Sequence, residues 1–275
     1  MHSPPSNPGL APSHGLVSPS PRSRRRHAVV RRRPFEVDGA GFVPRIVHTT
    51  EELASWLDLR RKLSSLHQDK ACRKILDLQG HLALSSDRIP QLAEVNAKLV
   101  EATGFRLQPS LRHPARESFM QGLRNRRHAC SLRLRPGASS GFVPGSDLIG
   151  TYLGHAPALA HPEIAKCSQL FGLAFEVGNP CERLRLEKVY RHCMGFGVVE
   201  EDGVVKAFGA GLLSSRSALI GFDRNSEWLD WDVDRMARTD GSESSDQQQY
   251  FVAPSLERMI RDVHVWVRRG FWRSR

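Results

Sequence analysis

One apolar segment near the middle of the chain, residues 147–163, constrains the fold more than any other stretch. His155 lies inside this segment, with Gly154 directly before it and Pro157 two positions after it. An imidazole in apolar surroundings needs a partner, because burying an unpaired polar group is costly. The segment therefore predicts a helix that enters a buried site containing His155.

Apolar residues at helical spacing predict most of the other elements. The first helix begins with a capping box of Thr49 and Glu52, and another begins at Pro90 and stops at Gly104. Further helices are predicted over residues 69–78, 119–127, 164–175, 184–197 and 255–265. Valine pairs around Asp202-Gly203 indicate a hairpin, and residues 249–252 indicate a short strand. The predicted fold class is mainly α with small β-strands (α+β).

Several blocks of sequence resemble a known family. They are Arg88-Ile89-Pro90-Gln91-Leu92 with Glu94-Val95-Asn96, Thr103-Gly104-Phe105, Asn125-Arg126-Arg127 and Gly209-Ala210-Gly211-Leu212-Leu213-Ser214-Ser215. Together with residues 147–163, they resemble the biopterin-dependent aromatic amino acid hydroxylases, and in particular the bacterial phenylalanine 4-monooxygenases. The resemblance covers roughly residues 36–266. It implies the catalytic-domain fold of that family, a helical basket around a metal site.

The resemblance also implies a chemistry, the hydroxylation of an aromatic amino acid by Fe(II), tetrahydrobiopterin and oxygen. Two histidines and one glutamate hold the iron in that family, which leaves its other coordination positions open. In this chain His155 matches the second histidine, whereas Gly150 and Gly195 occupy the positions of the first histidine and the glutamate. Since glycine has no side-chain donor, the resemblance implies a catalytically impaired or inactive member.

Two hypotheses therefore stay open, an active monooxygenase and a non-catalytic relative, or decayed gene product, that could still bind an amino acid or pterin. Arg135 falls where the family pairs an arginine with the carboxylate of the substrate, and Ser214 falls at a further substrate contact. Each residue has a simpler interpretation. Arg135 could belong to a solvated basic face, and Ser214 could be a turn former.

Other changes surround the expected metal site. Thr151 replaces an acid that lies near the pterin in the family, and Arg191 brings a charge to a position where an indole lines the aromatic pocket. Residues 128–146 match the family poorly, so their fold is an open question. Three side chains could supply replacement ligands: His161, His192 and Cys193.

The formal net charge of +11 is concentrated at one end of the chain. Residues 1–35 hold seven arginines and no acid, which leaves 33 basic and 29 acidic residues in 36–275. We expect a disordered Pro/Ser/Arg-rich tail over 1–35 and a hydroxylase-like catalytic domain over 36–275. A solvated tail is favoured over attachment to nucleic acid or to an acidic membrane surface.

The remaining predictions concern location and partners. No run of about 18 apolar residues exists, so no membrane span is expected. The five cysteines form no CxxC pair, which favours reduced thiols in the cytoplasm. The predicted partners are an aromatic amino acid, pterin and oxygen, and we expect a monomer that does not bind nucleic acid.

Overall fold

The computed structural model describes residues 43, 45–110, 114–134, 147–224, 226–240 and 249–272. Helices dominate these ranges, in agreement with the predicted fold class. The α-helices are α1 (Thr50–Lys70), α2 (Arg73–Leu82), α3 (Leu92–Thr103), α4 (Arg116–Arg124), α5 (Leu148–Gly150), α6 (Ala156–Leu159), α7 (Pro162–Val177), α8 (Pro180–Tyr190), α9 (Ala210–Leu213), α10 (Arg216–Gly221), α11 (Val233–Met236) and α12 (Leu256–Trp272). The strands are β1 (Arg106–Ser110), β2 (Arg127–Ser131), β3 (Val198–Glu201), β4 (Val204–Ala207), β5 (Glu227–Asp230) and β6 (Gln249–Ala253). Two segments are π-helical and are called here the first π turn (Thr151–His155) and the second π turn (Arg191–Gly195).

Helix α1 begins as predicted. The backbone nitrogen of Glu52 donates to Thr49 Oγ1 at 3.1 Å, and the backbone nitrogen of Thr49 donates to Glu52 Oε2 at 2.9 Å. Trp56 and Leu63 are buried on the inner face of this helix. Leu57 was predicted on the same face but is 37% exposed, because it lies next to the buried stripe and not on it.

Several predicted boundaries are wrong by a few residues. Helix α2 begins at Arg73, because Asp69 still belongs to α1 and the backbone nitrogen of Cys72 donates to the carbonyl oxygen of Ala207 at 2.9 Å. That bond ties the break between the two helices to β4. Helix α4 ends at Arg124 and not at residue 127, since Arg126 adopts a positive φ of 54° and β2 follows directly. Helix α12 continues beyond the predicted residue 265.

The strands form two small sheets among the described residues. Strands β1 and β2 pair in parallel, and the second sheet has the order β4-β3-β6-β5. The predicted hairpin is confirmed as the antiparallel pair β3–β4. Its turn residues Asp202 and Gly203 have φ values of 52° and 74°, as a two-residue hairpin turn with two left-handed positions requires. Strands β1, β2 and β5 and helices α9, α10 and α11 were not predicted.

The apolar segment 147–163 crosses the core as α5, the first π turn, α6 and the start of α7. Ile149 and Tyr152 are almost entirely inaccessible there, and the Tyr152 ring meets Trp56 of α1 edge-on at 6.0 Å between centroids. None of the described helices combines the length and apolarity that crossing a bilayer requires. The predicted tail, residues 1–35, lies outside the described ranges, so its boundary stays a prediction.

Candidate functional site

Each π turn ends at a position to which the resemblance assigns an iron ligand. His155 is the last residue of the first π turn, and Gly195 is the last residue of the second. Helix α9 lies between them. Ala210 contacts Gly154 of the first turn, and Gly211 approaches the carbonyl oxygen of Gly195. π-helical turns are rare and concentrate at functional sites. Their presence here therefore supports this region as the candidate site.

Gly150, which the resemblance assigns to the first histidine, is closely surrounded by side chains. The backbone nitrogen of Gly150 donates to Oδ1 of the buried Asp147 at 2.8 Å. A Cβ atom added to Gly150 would lie 3.3 Å from Ser214 Cβ and 3.4 Å from both Ser214 Oγ and Asp147 Oδ1. These distances are shorter than or at the limit of ordinary contact. A histidine at this position therefore requires movement of Ser214.

The surroundings of Gly195, which the resemblance assigns to the glutamate, are open. The nearest heavy atom to a Cβ added at Gly195 would be Arg191 Cγ, at 4.0 Å. The Arg191 guanidinium carbon lies 4.8 Å from the centroid of the Phe196 ring, within the range of a cation–π contact. Gly195 thus has space for a side chain, but the positive charge of Arg191 in the same turn disfavours a metal cation.

His155, which is partly buried, contacts a buried histidine that the sequence patterns did not indicate. The ring centroids of His128 and His155 are 4.3 Å apart, and their planes are tilted by 36°. His128 is 1% exposed, and neither of its ring nitrogens makes a hydrogen bond of normal geometry. Burial lowers the pKa of His128 to about 4, although the nearby backbone of Ala129 opposes the shift. Burial, followed by proximity to His128, also holds the pKa of His155 well below 6.5. Both rings are therefore neutral near pH 7.

The missed signal lies in β2. Along this strand His128 and Cys130 are buried while Arg127 is exposed, which is the alternation of a strand with one inward face. The apolar spacing predicts a helix up to Arg127 and leaves the fold of residues 128–146 open. A strand assignment would have directed His128 inward, toward the residues of segment 147–163.

The three candidate replacement ligands lie in other surroundings. The His192 ring meets Phe251 edge-on at 5.1 Å, and burial lowers its pKa to about 4. The Cys193 sulfur lies 3.8 Å from the Met236 sulfur. These contacts direct both side chains toward β6 and α11. His161 is the N-cap residue of α7, where burial lowers its pKa.

The two predicted substrate-binding residues have different outcomes. Arg135 lies outside the described residues. The buried Ser214 hydroxyl donates to the carbonyl oxygen of Gly211 at 3.0 Å, and Ser215 Oγ accepts from the backbone nitrogen of Ala218 at 3.2 Å to cap α10. Both serines stabilise local helix ends. The substrate contact of Ser214 stays a prediction.

The described residues do not fit the iron of the family. Such iron needs three protein donors on one face, and no group of three His, Cys, Asp or Glu side chains with metal-binding geometry occurs in the described ranges. The residue assigned near the pterin is also engaged within its own helix, because the Thr151 hydroxyl donates to the carbonyl oxygen of Asp147 at 3.0 Å.

The sequence was compared with known families. The sequence model of the biopterin-dependent aromatic amino acid hydroxylases matches residues 10–272. The chain belongs to this family. The identification agrees with the resemblance carried by the sequence blocks and with the fold just described.

Characterised relatives include two hydroxylases with different substrates. The chain is 37% identical over 175 residues to a chloroplastic phenylalanine 4-monooxygenase of Pinus taeda, covering 63% of this chain and 49% of the relative. It is 32% identical over 238 residues to the tyrosine 3-monooxygenase of Canis lupus familiaris, covering 85% of this chain and 48% of the relative. The chain thus spans about half the length of these relatives.

Solved structures show the same fold. The phenylalanine hydroxylase of Chromobacterium violaceum, with bound iron(III) and 7,8-dihydrobiopterin, superimposes with a TM-score of 0.74 at 23% identity, covering 83% of this chain and 84% of that one. The apo phenylalanine hydroxylase of Colwellia psychrerythraea gives a TM-score of 0.76 at 22% identity, covering 86% and 92%. At this level of identity the likeness concerns the fold alone.

Proposed function

We propose that this chain is a degenerate aromatic amino acid hydroxylase in which the iron- and tetrahydrobiopterin-dependent hydroxylation of phenylalanine is impaired or lost. One observation carries the proposal: Gly150 and Gly195 stand at two of the three family ligand positions, and neither can donate to a metal. A single imidazole, His155, is left of the three ligands. Because ligand loss is concentrated at the metal, the hydroxylase fold can persist without the reaction.

The neighbourhood of each glycine supports the proposal in a different way. Next to Gly150, Ser214 and Asp147 confine even the first atom of a ligand side chain. Next to Gly195, the space is free, but Arg191 brings a positive charge. A metal ion would therefore meet glycine backbone on both sides, closely packed on one side and next to a positive charge on the other.

The experiment is reconstitution of the full chain with Fe(II) under anaerobic conditions. Iron per chain is measured by elemental analysis after removal of loosely bound metal, and tyrosine formation is followed with phenylalanine, tetrahydrobiopterin and oxygen. We expect far less than one iron per chain and no more tyrosine than free iron forms without the protein. Stoichiometric iron together with enzymatic tyrosine formation would refute the proposal.

A restoration experiment tests the physical reason. Gly150→His, Thr151→Asp, Arg191→Trp and Gly195→Glu are combined, with and without Ser214→Gly. Since Ser214 confines the Gly150 position, we expect iron uptake to rise most when all five changes are present. Gly195→Glu alone is the matched control and should bind no iron, because one added carboxylate leaves only two family ligands. Equal iron uptake with and without Ser214→Gly would show that Ser214 does not close the site.

If any activity survives, we propose that it is a monooxygenation of an aromatic amino acid with pterin and oxygen as the other small-molecule partners. The relatives act, by name, on phenylalanine and on tyrosine, so either substrate class is a candidate for this chain. Monomeric state, cytoplasmic location and the absence of nucleic-acid binding by the basic tail stay predictions.

A further inference from the structure

Pro157 lies two positions after His155, the last residue of the first π turn, and removes a hydrogen-bond donor from this part of the helix. Like every proline, it carries no backbone N–H. In an α-helix that N–H would donate to the carbonyl oxygen four residues earlier, which belongs to Leu153. Leu153 is buried, and a buried carbonyl oxygen needs a donor. The helix itself thus lacks the usual donor for the Leu153 carbonyl.

Gln79 of α2 supplies a donor at this place. Its side-chain nitrogen, Nε2, donates to the carbonyl oxygen of Leu153 at 2.7 Å, across 74 positions of the chain. Gln79 is partly buried, so water has limited access to the bond. An amide nitrogen carries two N–H groups, and the second is available for another acceptor.

The second acceptor fixes the orientation of the amide. Gln79 Nε2 also donates to His67 Nδ1 at 3.2 Å, and His67 Nε2 lies 2.7 Å from the carbonyl oxygen of Leu213. A carbonyl oxygen only accepts, and burial lowers the pKa of His67 and keeps its ring neutral, so Nε2 carries the single ring proton. Nδ1 is then an acceptor, and only the nitrogen of the Gln79 amide can face it. The tautomer of one buried ring therefore selects the amide orientation that Leu153 requires.

We propose that Gln79 is a positioning residue of His155: its side-chain amide replaces the donor that Pro157 lacks and thereby holds the first π turn in register. A π turn has one residue more than an α-helical turn, and each residue of an α-helix rotates the chain by about 100°. Loss of the π register would turn the His155 ring by a similar angle. The ring would then leave His128, whose ring centroid lies 4.3 Å away.

The test compares the full chain with Gln79→Met by nuclear magnetic resonance. Methionine has nearly the length of glutamine but no N–H donor. The backbone nitrogen of Ala156 donates to the carbonyl oxygen of Thr151 and closes the first π turn, so hydrogen exchange at Ala156 reports on this turn. We expect its protection to fall about tenfold, which corresponds to the loss of one hydrogen bond. The nuclear Overhauser effect between the ring protons of His128 and His155 should disappear.

Gln169→Met is the matched control. Gln169 is also partly buried, and its side chain also donates to a backbone carbonyl, that of Arg124, at 3.1 Å. It belongs to α7 and not to the first π turn. We expect this variant to keep both the Ala156 protection and the contact between the two histidine rings, even if its melting temperature falls as far as that of Gln79→Met. Equal loss of both signals in the two variants would overturn the inference.

A second background tests the part of Pro157. In Pro157→Ala the chain regains an N–H that can donate to the Leu153 carbonyl. Gln79→Met should therefore lower the Ala156 protection by less than about threefold in this background. The same tenfold fall in both backgrounds would overturn the proposed replacement of the Pro157 donor.

Folding itself gives a further outcome. If Gln79→Met does not fold, the inference requires that Pro157→Ala restores its folding, and failure of this rescue would overturn it as well. None of these measurements uses iron or turnover. Iron uptake with hydroxylation would refute the proposed loss of activity and leave the comparison of Gln79 with Gln169 readable.

Discussion

The two π turns differ in how closely the glycines in and next to them are packed. The first π turn is closely packed: a Cβ atom on Gly154 would lie 2.7 Å from Ala210 Cα, and the adjacent Gly150 is confined by Ser214. The second π turn ends at Gly195, where a Cβ atom would meet nothing closer than 4.0 Å. Gly150 is thus confined by neighbouring atoms, whereas Gly195 borders free space beside Arg191.

This difference shows that two glycines in similar turns can differ in the space they leave for a side chain. At Gly195 a Cβ atom could enter without moving a neighbour. At Gly150 a Cβ atom requires Ser214, directly after α9, to shift by a few tenths of an ångström. His155 belongs to the closely packed turn and contacts His128.

The largest expected effect is that of Gly154→Ala in the first π turn. Its Cβ atom would lie 2.7 Å from Ala210 Cα and Cβ and 3.0 Å from the Ala210 carbonyl oxygen. Because backbone must move to accept it, we expect a loss of about 3 kcal/mol in the free energy of unfolding. Urea denaturation at constant temperature measures the change.

Gly80→Ala is the matched control for that prediction. Gly80 lies in α2, and a Cβ atom there would have no neighbour within 4 Å. The same substitution should therefore stabilise the chain by about 0.5–1 kcal/mol through helix propensity. Equal effects at both positions would show that the packing around the first π turn is not tight.

The next effect concerns the support of the first π turn by buried His67. The backbone oxygen of Leu213 accepts from His67 Nε2 at 2.7 Å, and Gln79 Nε2 donates both to His67 Nδ1 at 3.2 Å and to the carbonyl oxygen of Leu153 at 2.7 Å. Burial lowers the pKa of His67 below 6.5. As pH falls, His67 is therefore protonated at a higher pH in the unfolded chain than in the folded chain.

Stability supplied by neutral His67 is complete above about pH 6.5 and decreases as pH falls toward the lower pKa of the folded state. Protonation at Nδ1 removes the acceptor of Gln79, so we expect the free energy of unfolding to fall between about pH 6.5 and pH 5, by no more than about 1.4 kcal/mol per pH unit. Urea midpoints across that range should fall less steeply in His67→Gln, which retains a donor for Leu213. An unchanged slope would contradict the role of His67.

The smallest expected effects are those of alanine substitutions at Gly150 and Gly195. Gly150→Ala should lower the free energy of unfolding by about 1 kcal/mol, because its Cβ atom would press on Ser214. Gly195→Ala should raise it by about 0.5 kcal/mol, since the site is open and alanine restricts the unfolded chain. Parallel thermal unfolding of the two variants measures the difference. A more stable Gly150→Ala than Gly195→Ala variant would mean that Gly150, and not Gly195, has space for a Cβ atom.

Much of the fold was predictable because local signals were strong. The capping box of Thr49 and Glu52 and the turn at Asp202-Gly203 both fix geometry within a few residues, and both predictions are confirmed. Boundaries were less accurate where a distant partner decides them. The start of α2 depends on the bond from Cys72 to Ala207, which lies far away along the chain.

The sequence by itself determined the family, because sequence blocks at fixed spacing carry the resemblance and the family model matches residues 10–272. That resemblance also implies that Gly150 and Gly195 stand at ligand positions, where glycine offers no donor atom. Only the tertiary structure decided which side chains surround this region. Ser214, directly after α9, approaches Gly150, and His128 of β2 contacts His155; such long-range packing leaves no periodic trace near the residues it affects. Residue identity is therefore local information, whereas the surroundings of each residue are a property of the packed core.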